Sequence, residues 1–240
     1  MIQLRLQFQT ENNMLPKDFD RVIVSFFKAA SESYSNEFYN SLYDKSKSII
    51  KSYTYSKWFR KPSFQKECIM LSNNEFSLFF SDSNPGELIQ FFNSFRKMKM
   101  KAFPMKGNTM KLVSISAQNR QQITDSEIII KMHAPLIARR HNSDSNTDCY
   151  YVYNHPEFPQ VIKENVEFFI QKTSPELSLN GFSITPIKGK KVVAPSFYGY
   201  IDASLGVYKL TGSPELLNVL YLSGIGSRRS SGAGKWEVVL

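Results

Sequence analysis

The sequence predicts an α+β protein built from two successive units, each with the element order β-α-β-β-α-β. The opening residues alternate strictly, with Ile2, Leu4, Leu6 and Phe8 on one face and polar residues on the other, which is typical of a half-buried strand. Two later stretches of the first half place apolar residues at helical spacing, with strand-like segments between and after them. The second half repeats this order of elements.

The elements of the first half follow from residue spacing. A helix begins after the turn at Pro16, with Asp18 as its expected N-cap. A later helix carries Leu88, Phe91 and Phe95 on one face. Helices are predicted over residues 19–30, 36–44 and 84–98. Strands are predicted over residues 1–9, 50–58, 64–71, 75–81 and 109–118.

The second half is divided in the same way, after a polar stretch without apolar periodicity at residues 119–125. Helices are predicted over residues 158–169 and 214–223. Strands are predicted over residues 126–132, 150–153, 182–188, 191–202, 205–211 and 235–239. We therefore predict tandem ferredoxin-like domains, residues 1–120 and 125–240, with a glycine-rich loop before the last strand.

Composition narrows the class of protein. The 240 residues are 42% hydrophobic and include 30 basic and 21 acidic residues, which gives a net charge of +9 and excludes a disordered chain. No stretch approaches the roughly 18 consecutive apolar residues that a membrane helix needs. The two cysteines, Cys68 and Cys149, do not make a disulfide framework. We therefore expect a cytoplasmic protein that does not contact a membrane.

The excess of basic residues lies almost wholly in residues 1–120, which contain 18 basic and 10 acidic residues. It is concentrated in two runs, Tyr43–Lys66 and Arg96–Lys111. These runs are accompanied by aromatic residues, namely Tyr53, Tyr55, Trp58, Phe59, Phe95 and Phe103. Cations bind phosphates and flat rings stack on bases, so the combination favours a polyanionic partner. The alternative is that each run is an ordinary solvated face.

Metal and hydrolase chemistry find no support in the motifs. The three histidines, His133, His141 and His155, fall at no metal-ligand spacing, and there is no H-E-x-x-H pattern. There is also no G-x-S-x-G nucleophile turn. The sequence thus predicts neither a metal site nor a cofactor.

The most unusual segment is the glycine-rich stretch Gly224–Lys235. Dinucleotide and Walker motifs both require glycine where Arg229 stands, and phosphate loops lead from a strand into a helix, whereas this segment leaves a helix and enters a strand. Glycines let backbone N–H groups approach a polyanion, and arginines fork onto phosphate. The residues predicted to bind a polyanion here are Gly224, Gly226, Ser227, Arg228, Arg229, Ser230, Ser231, Gly232, Gly234 and Lys235. The alternative is an ordinary glycine-rich turn.

The stretch Gly212–Val238, which contains this loop, resembles the closing signature of the CRISPR repeat-RNA endoribonucleases, which are Cas proteins of the RAMP superfamily. Ile130–Arg139 is similar to one further stretch of that family, and Pro156–Phe158 together with Glu164–Val166 is similar to another. The resemblance implies tandem ferredoxin-like domains that bind repeat RNA, with Arg139 among the RNA-binding residues. It also implies cleavage of precursor guide RNA without a metal or cofactor, leaving a 2′,3′-cyclic phosphate and a 5′-hydroxyl. The implied partners are that RNA and other Cas subunits of an effector complex. The protein itself is expected to be a monomer or a homodimer.

The sequence departs from the family at the expected catalytic position. Many members have a histidine after the first helix in a Leu-His-Asp-like context, and this chain has Leu42-Tyr43-Asp44 there, with no histidine before His133. Cleavage by an internal 2′-hydroxyl needs a proton acceptor, a proton donor and a cation. Tyrosine has an unperturbed pKa of about 10, which neighbouring lysines can lower. The predicted catalytic residues are Tyr43, Lys45, Lys47 and Lys51.

Two other functions remain open at this point. The protein could be an RNA-binding module or a structural effector subunit that binds repeat RNA without cutting it. Tyr198–Asp202 partly matches the RNA-contacting strand of the RNA recognition motif, but Ser196 and Phe197 occupy the place of its basic residue and glycine. We interpret this segment as a core strand.

Overall fold

The computed structural model describes residues 1–196 and 199–239 and confirms two successive β-α-β-β-α-β units. Contacts between residues divide the chain into a first unit of residues 1–51 and 57–120 and a second unit of residues 52–56 and 121–240. None of the helices in the described part of the chain is both long and apolar enough to cross a lipid bilayer.

Residues 1–120 form three helices and eight strands, and one of these strands, residues 53–59, is divided between the two units. The helices are α1 (Phe19–Tyr34), α2 (Asn36–Tyr43) and α3 (Pro85–Met98). The strands are β1 (Ile2–Thr10), β2 (Met14–Pro16), β3 (Tyr53–Phe59), β4 (Ser63–Phe64), β5 (Cys68–Met70), β6 (Glu75–Asp82), β7 (Ala102–Met105) and β8 (Asn108–Asn119). The main sheet has the order β3-β6-β1-β8-β7, and β2, β5 and β4 form a small separate sheet. The four strands that belong to the repeat are thus ordered second, third, first, fourth.

The core of this unit is a cluster of phenylalanines between sheet and helices. Phe8 of β1 stacks on Phe76 of β6, with ring centroids 4.8 Å apart, and meets Phe26 of α1 edge-on at 5.2 Å. Phe80 of β6 lies 4.8 Å from Phe91 of α3. All five rings are at most 2% exposed. The alternation of β1 and the helical spacing of α1 and α3 therefore converge on one apolar interior.

Helix ends in this unit follow local side-chain chemistry. The Ser35 hydroxyl accepts a hydrogen bond from the Phe38 N–H at the start of α2, and the Asn84 side chain accepts from the first turn of α3. The predicted cap of α1 is different. Asp18 precedes that helix, but its side chain makes no capping hydrogen bond and lies 3.9 Å from the Arg21 guanidinium instead.

The second unit repeats the strand order of the first. Its helices are α4 (Phe158–Thr173) and α5 (Pro214–Ser223). Its strands are β9 (Glu127–Met132), β10 (Ala138–Asn142), β11 (Thr147–Tyr151), β12 (Ser183–Ser196), β13 (Gly199–Thr211) and β14 (Trp236–Val238). The sheet order is β12-β13-β9-β14, which is again second, third, first, fourth, and β10 and β11 form a hairpin inserted before α4. The prediction of tandem ferredoxin-like domains is confirmed.

The predicted strand boundaries within residues 182–211 are wrong. Three strands were expected there, and the structure has two long paired strands, β12 and β13. Gly189 and Gly206, which face each other across the pair, do not end strands. A Cβ on Gly206 would lie 2.1 Å from the Lys188 carbonyl oxygen, so only glycine lets the two backbones approach this closely. The close approach lies next to a shift in the pairing register between Pro186 and Lys188.

Other observed strands also differ from the predicted ones. The stretch predicted as one strand over 64–71 forms the two short strands β4 and β5, and β7 and β10 were not predicted. β7 contains Pro104 and lies at the sheet edge, where a missing N–H is tolerated. Phe197 and Tyr198 of the partial RNA-recognition match lie outside the described residues, and the rest of that match begins β13, where Tyr200 is exposed.

Candidate functional site

The glycine-rich loop of residues 224–235 joins α5 to β14 in the second unit and is folded tightly onto the preceding chain. The Ile225 N–H donates to the Gly234 carbonyl at 2.9 Å, which closes the loop on itself. The Gly234 N–H donates to the Pro135 carbonyl at 2.9 Å, and the Ser227 N–H donates to the Ile137 carbonyl at 2.8 Å. These backbone N–H groups, which were expected to contact a polyanion, therefore donate hydrogen bonds to carbonyl oxygens of the protein itself.

The glycines of the loop are required by its path. The four glycines have positive φ and are buried, namely Gly224, Gly226, Gly232 and Gly234. A Cβ on Gly234 would lie 2.1 Å from the Ile225 carbonyl oxygen, and one on Gly226 would lie 2.6 Å from that of Ile137. The loop is thus a tightly packed structural element, and its glycines allow the backbone to approach neighbouring carbonyl groups of the protein itself.

The cations of this loop have different surroundings. The Arg229 guanidinium lies over the Phe169 ring of α4 at 3.8 Å and donates to the Gly226 carbonyl at 2.9 Å, while its Nε is shut off from solvent. Burial lowers the pKa of Arg229 to about 10, so the group is still charged at neutral pH. Lys235 is only 4% exposed. Lys235 is therefore buried, whereas Arg229 is partly buried and its guanidinium packs on the Phe169 ring.

Arg228 belongs to a charged cluster on the β10–β11 hairpin. Asp148 is its centre and accepts from Arg139 at 3.1 Å, from the Tyr150 hydroxyl at 3.0 Å and from Arg228 at 3.4 Å. The Arg228 guanidinium also donates to the Tyr150 hydroxyl oxygen at 2.8 Å. His141 Nδ1 lies 2.9 Å from the Asp148 carboxylate. We call these five residues the Asp148 cluster.

Hydrogen bonds and a neighbouring charge keep the Asp148 carboxyl group ionised. Burial alone raises the pKa of Asp148, but hydrogen bonds from His141 and Tyr150 and the charge of Arg139 together bring that pKa below its ordinary value. Asp148 is therefore ionised at neutral pH. One carboxylate thus holds two guanidinium groups in place. The Arg139 side chain is still 34% exposed to solvent, and the Arg228 side chain is 22% exposed.

Helix α4 fixes the predicted RNA-binding residue Arg139 from the other side. The Asn165 side chain accepts from the Arg139 N–H at 3.0 Å and donates to its carbonyl at 2.6 Å. Asp148, Tyr150 and His141 were not predicted as site residues, because strand β10 was not predicted. In the hairpin, Arg139 pairs with Tyr150 and His141 with Asp148, so a hairpin prediction would have placed these side chains together.

In the first unit, the ring of the predicted catalytic residue Tyr43 lies close to two ammonium groups. Lys51 Nζ is 5.0 Å and Lys28 Nζ 5.4 Å from the centroid of its ring at the end of α2. Burial lowers the pKa of Lys51, the charge of Lys28 lowers it further, and Glu87 acts in the opposite direction. We call Lys28, Tyr43 and Lys51 the Tyr43 cluster.

The other two predicted lysines lie elsewhere on this segment. Lys47 Nζ is 3.7 Å from the Asp44 carboxylate, and both Lys45 and Lys47 are exposed. Lys28 was not predicted, because it stands on the exposed face of α1, where a single lysine gives no signal of function. Within residues 1–196 and 199–239, no three His, Cys, Asp or Glu side chains converge to hold a metal ion.

Solved structures similar to this chain share its fold over nearly the whole length. A protein characterised as the product of a Cas6-related gene from Pyrococcus furiosus matches with a TM-score of 0.87 and 18% identity, over 99% of this chain and 98% of that one. A structure described as an RAMP protein binding different RNA substrates matches with a TM-score of 0.85 and 19% identity over 100% of both chains. A Thermus thermophilus Cas6 product complex matches with a TM-score of 0.74 and 13% identity over 99% of both. At these identities the likeness concerns the fold.

Sequence comparison defines the family. None of the curated proteins compared with the chain is significantly similar to it. The family model for the C-terminal part of the CRISPR-associated protein Cas6 matches residues 117–238, which is just over half of the chain and includes both the glycine-rich loop and the Asp148 cluster. The chain belongs to the Cas6 family of CRISPR-associated proteins.

Proposed function

We propose that this protein binds CRISPR repeat RNA and cleaves precursor guide RNA without a metal, giving a 2′,3′-cyclic phosphate and a 5′-hydroxyl. The observation that carries the proposal is the Tyr43 cluster, in which two ammonium groups lie 5.0 Å and 5.4 Å from the centroid of the ring that stands where the family often has histidine. Membership of the Cas6 family and the similarity to a Cas6 product complex support it.

The reaction forms a bond from the 2′-oxygen to phosphorus and breaks the bond from phosphorus to the 5′-oxygen. The 2′-hydroxyl gives up its proton to a solvent water molecule, and the leaving 5′-oxygen takes a proton from the protein. A lowered pKa makes the Lys51 ammonium a stronger acid than an ordinary lysine, which suits it to donate that second proton. Lys28 supplies positive charge for the phosphorane, and the Tyr43 hydroxyl orients the 2′-hydroxyl for in-line attack.

For RNA binding by the second unit, we propose that Arg139 and Arg228 contact phosphates. The Asp148 cluster holds both guanidinium groups in place and leaves them partly exposed, so little side-chain entropy is lost on binding. Ser227, Ser230 and Ser231 are only partly buried on the same loop and offer hydroxyl groups. In this proposal the glycines, Arg229 and Lys235 act through the shape of the loop.

The Arg228→Ala variant tests this division. We expect weaker repeat-RNA binding and a slope of log Kobs against log salt concentration that is flatter by about one, because one phosphate contact is lost. Arg229→Met is the matched control, since it removes the same charge one residue along, from a guanidinium that is held against Phe169 and the Gly226 carbonyl, and its slope should equal that of the parent protein. Equal slopes in all three proteins would remove Arg228 from the RNA-binding surface.

Cleavage itself is tested by incubating the purified protein with repeat RNA in EDTA. We expect cutting at one site. Tight binding with the RNA left intact would instead support a second function, that of a repeat-RNA-binding protein or a structural effector subunit assembled with other Cas proteins. The absence of any histidine before His133 favours this alternative, as does the similarity to an RAMP protein described as binding different RNA substrates.

A further inference from the structure

The aromatic residues of the basic runs do not share one environment. Tyr53, Tyr55 and Phe95 are 0% exposed. Phe59 packs against Phe19 and Phe76 of the core, and Phe103 packs edge-on against Phe26. Trp58 is 49% exposed. Of the six rings that the sequence analysis offered for base stacking, Trp58 alone therefore presents a large free face.

Trp58 lies on the face of the first sheet that points away from the helices. Its neighbours in β3 contact α1, since Lys57 pairs with Asp20 and Phe59 packs on Phe19. Successive side chains of a strand point to opposite faces, so Trp58 points to the other side. The same alternation places the polar residues of β1 on that face, opposite its buried apolar residues.

A cavity of about 230 Å³ lies on this face beside Trp58. Its walls combine one indole ring with cationic, amide, hydroxyl and carboxylate groups and are formed by Arg5, Gln7, Phe8, Trp58, Arg60, Asn73, Glu75, Phe76, Ser77 and Val113. Neighbouring side chains steady the polar rim, because Arg5 donates to the Ser77 hydroxyl at 3.4 Å and Asn73 donates to the Glu75 carboxylate at 3.5 Å. The cavity therefore offers a ring to stack on and both donors and acceptors at its edge.

We propose that this cavity binds one unpaired base of an RNA strand, stacked on Trp58. Sites for whole small molecules usually exceed about 300 Å³, so the volume fits a single flat group of a larger ligand better than a free metabolite. Single-stranded RNA presents such groups, and proteins bind them by stacking on aromatic rings and by hydrogen bonds to the base edge. Arg5 and Arg60 add positive charge for the adjoining phosphates.

The proposal rests on the proposed RNA binding but not on cleavage. It extends the binding surface beyond the two clusters described above to a third position, on the open face of the first sheet. A protein partner seated on Trp58 is the competing interpretation. It predicts that a Trp58 variant binds RNA normally and fails to associate with another subunit.

A double-mutant cycle tests the pocket. Repeat RNAs that lack one base at each position in turn are titrated against the parent protein and against Trp58→Ala. Where the RNA is cut, a deoxyribose before the cut keeps it intact. We expect one abasic position to weaken binding to the parent protein by about 5- to 150-fold, which is the range for one stacked base, and to have little further effect on Trp58→Ala. Trp58→Phe should retain most of the affinity, because it keeps a ring.

Phe64→Ala is the matched control, because Phe64 is 72% exposed in the same unit and does not line the cavity. We expect its RNA affinity to equal that of the parent protein. Independent losses at every abasic position would overturn the stacking proposal, as would Trp58→Ala binding with parental affinity. Failure of the parent protein to bind any repeat RNA would instead overturn the proposed function, so the two failures are distinguishable.

Discussion

Replacing Lys51 with alanine is expected to slow repeat-RNA cleavage by about 10²- to 10⁴-fold, which is the usual loss when a positioned proton donor is removed. The ammonium lies 5.0 Å from the Tyr43 ring centroid and carries a lowered pKa, which favours proton donation to the 5′-oxygen. RNA affinity should change only a few fold, since other cations hold the phosphates. Single-turnover rates at saturating protein separate the two quantities.

Lys47→Ala is the matched control for this measurement. It removes a lysine from the same segment, but that lysine is exposed and pairs with Asp44, so cleavage should stay within a few fold of the parental rate. Equal rates for the two variants would exclude Lys51 as the proton donor. Because Lys51 is partly buried, its substitution can also destabilise the protein. A thermal melting curve of Lys51→Ala shows whether a lower cleavage rate results from unfolding.

The same assignment sets the direction of the pH dependence. A general acid acts in its protonated form, so the cleavage rate should fall as the pH rises through the pKa of Lys51. Because that pKa is lowered, the fall should begin at lower pH than an ordinary lysine would give. In Lys51→Arg the group stays protonated, so this fall should disappear while the rate at neutral pH drops, since guanidinium is a poor proton donor. A rate of the parent protein that rises through this range would contradict the role.

Gly234→Ala is expected to destabilise the second unit strongly. Gly234 has φ of +73°, and a Cβ there would lie 2.1 Å from the Ile225 carbonyl oxygen, which is backbone and cannot rotate away. The Ile225–Gly234 hydrogen bond that closes the loop would have to break. We expect a loss of about 4 kcal/mol and a Tm lower by about 8–16 °C, measured by thermal unfolding.

Gly181→Ala separates steric contact from backbone strain. Gly181 has nearly the same φ, +74°, with nothing within 4 Å of its added Cβ. It should lose only the cost of a left-handed alanine, about 1–2 kcal/mol, or about 2–8 °C in Tm. Similar losses in the two variants would mean that the loop relaxes around the added methyl group, and the tight packing described for it would then not hold.

The element order could be predicted because hydrophobic periodicity is a local property. Strict alternation in β1 and helical spacing around Phe26 and Phe91 predicted the elements of the first half, and the same order of elements in the second half predicted the tandem fold. The glycines led to wrong expectations at two places, the strand boundaries within residues 182–211 and the loop of residues 224–235. At Gly206 and Gly234 they allow two backbones to approach closely, and the sequence does not show which distant carbonyl they meet.

The candidate site was predictable only in part, because its members come from separate elements. Lys51 and Tyr43 were named from a short segment, whereas Lys28 is brought to them by α1, on which nothing marks it. Asp148 meets Arg228 through a contact spanning 80 positions of sequence. The aromatic residues of the basic runs were counted together, yet only burial in the fold distinguishes Trp58 from Tyr53 and Tyr55.

The central claim is that a 2′-hydroxyl of the RNA performs the cut without a metal. The most direct test places a single deoxyribose at the nucleotide before the cut and assays the repeat RNA in EDTA beside the unmodified strand. We predict that the unmodified strand yields a 2′,3′-cyclic phosphate and a 5′-hydroxyl, and that the modified strand binds with equal affinity and stays intact. Cleavage of the modified strand at the same site would contradict internal attack.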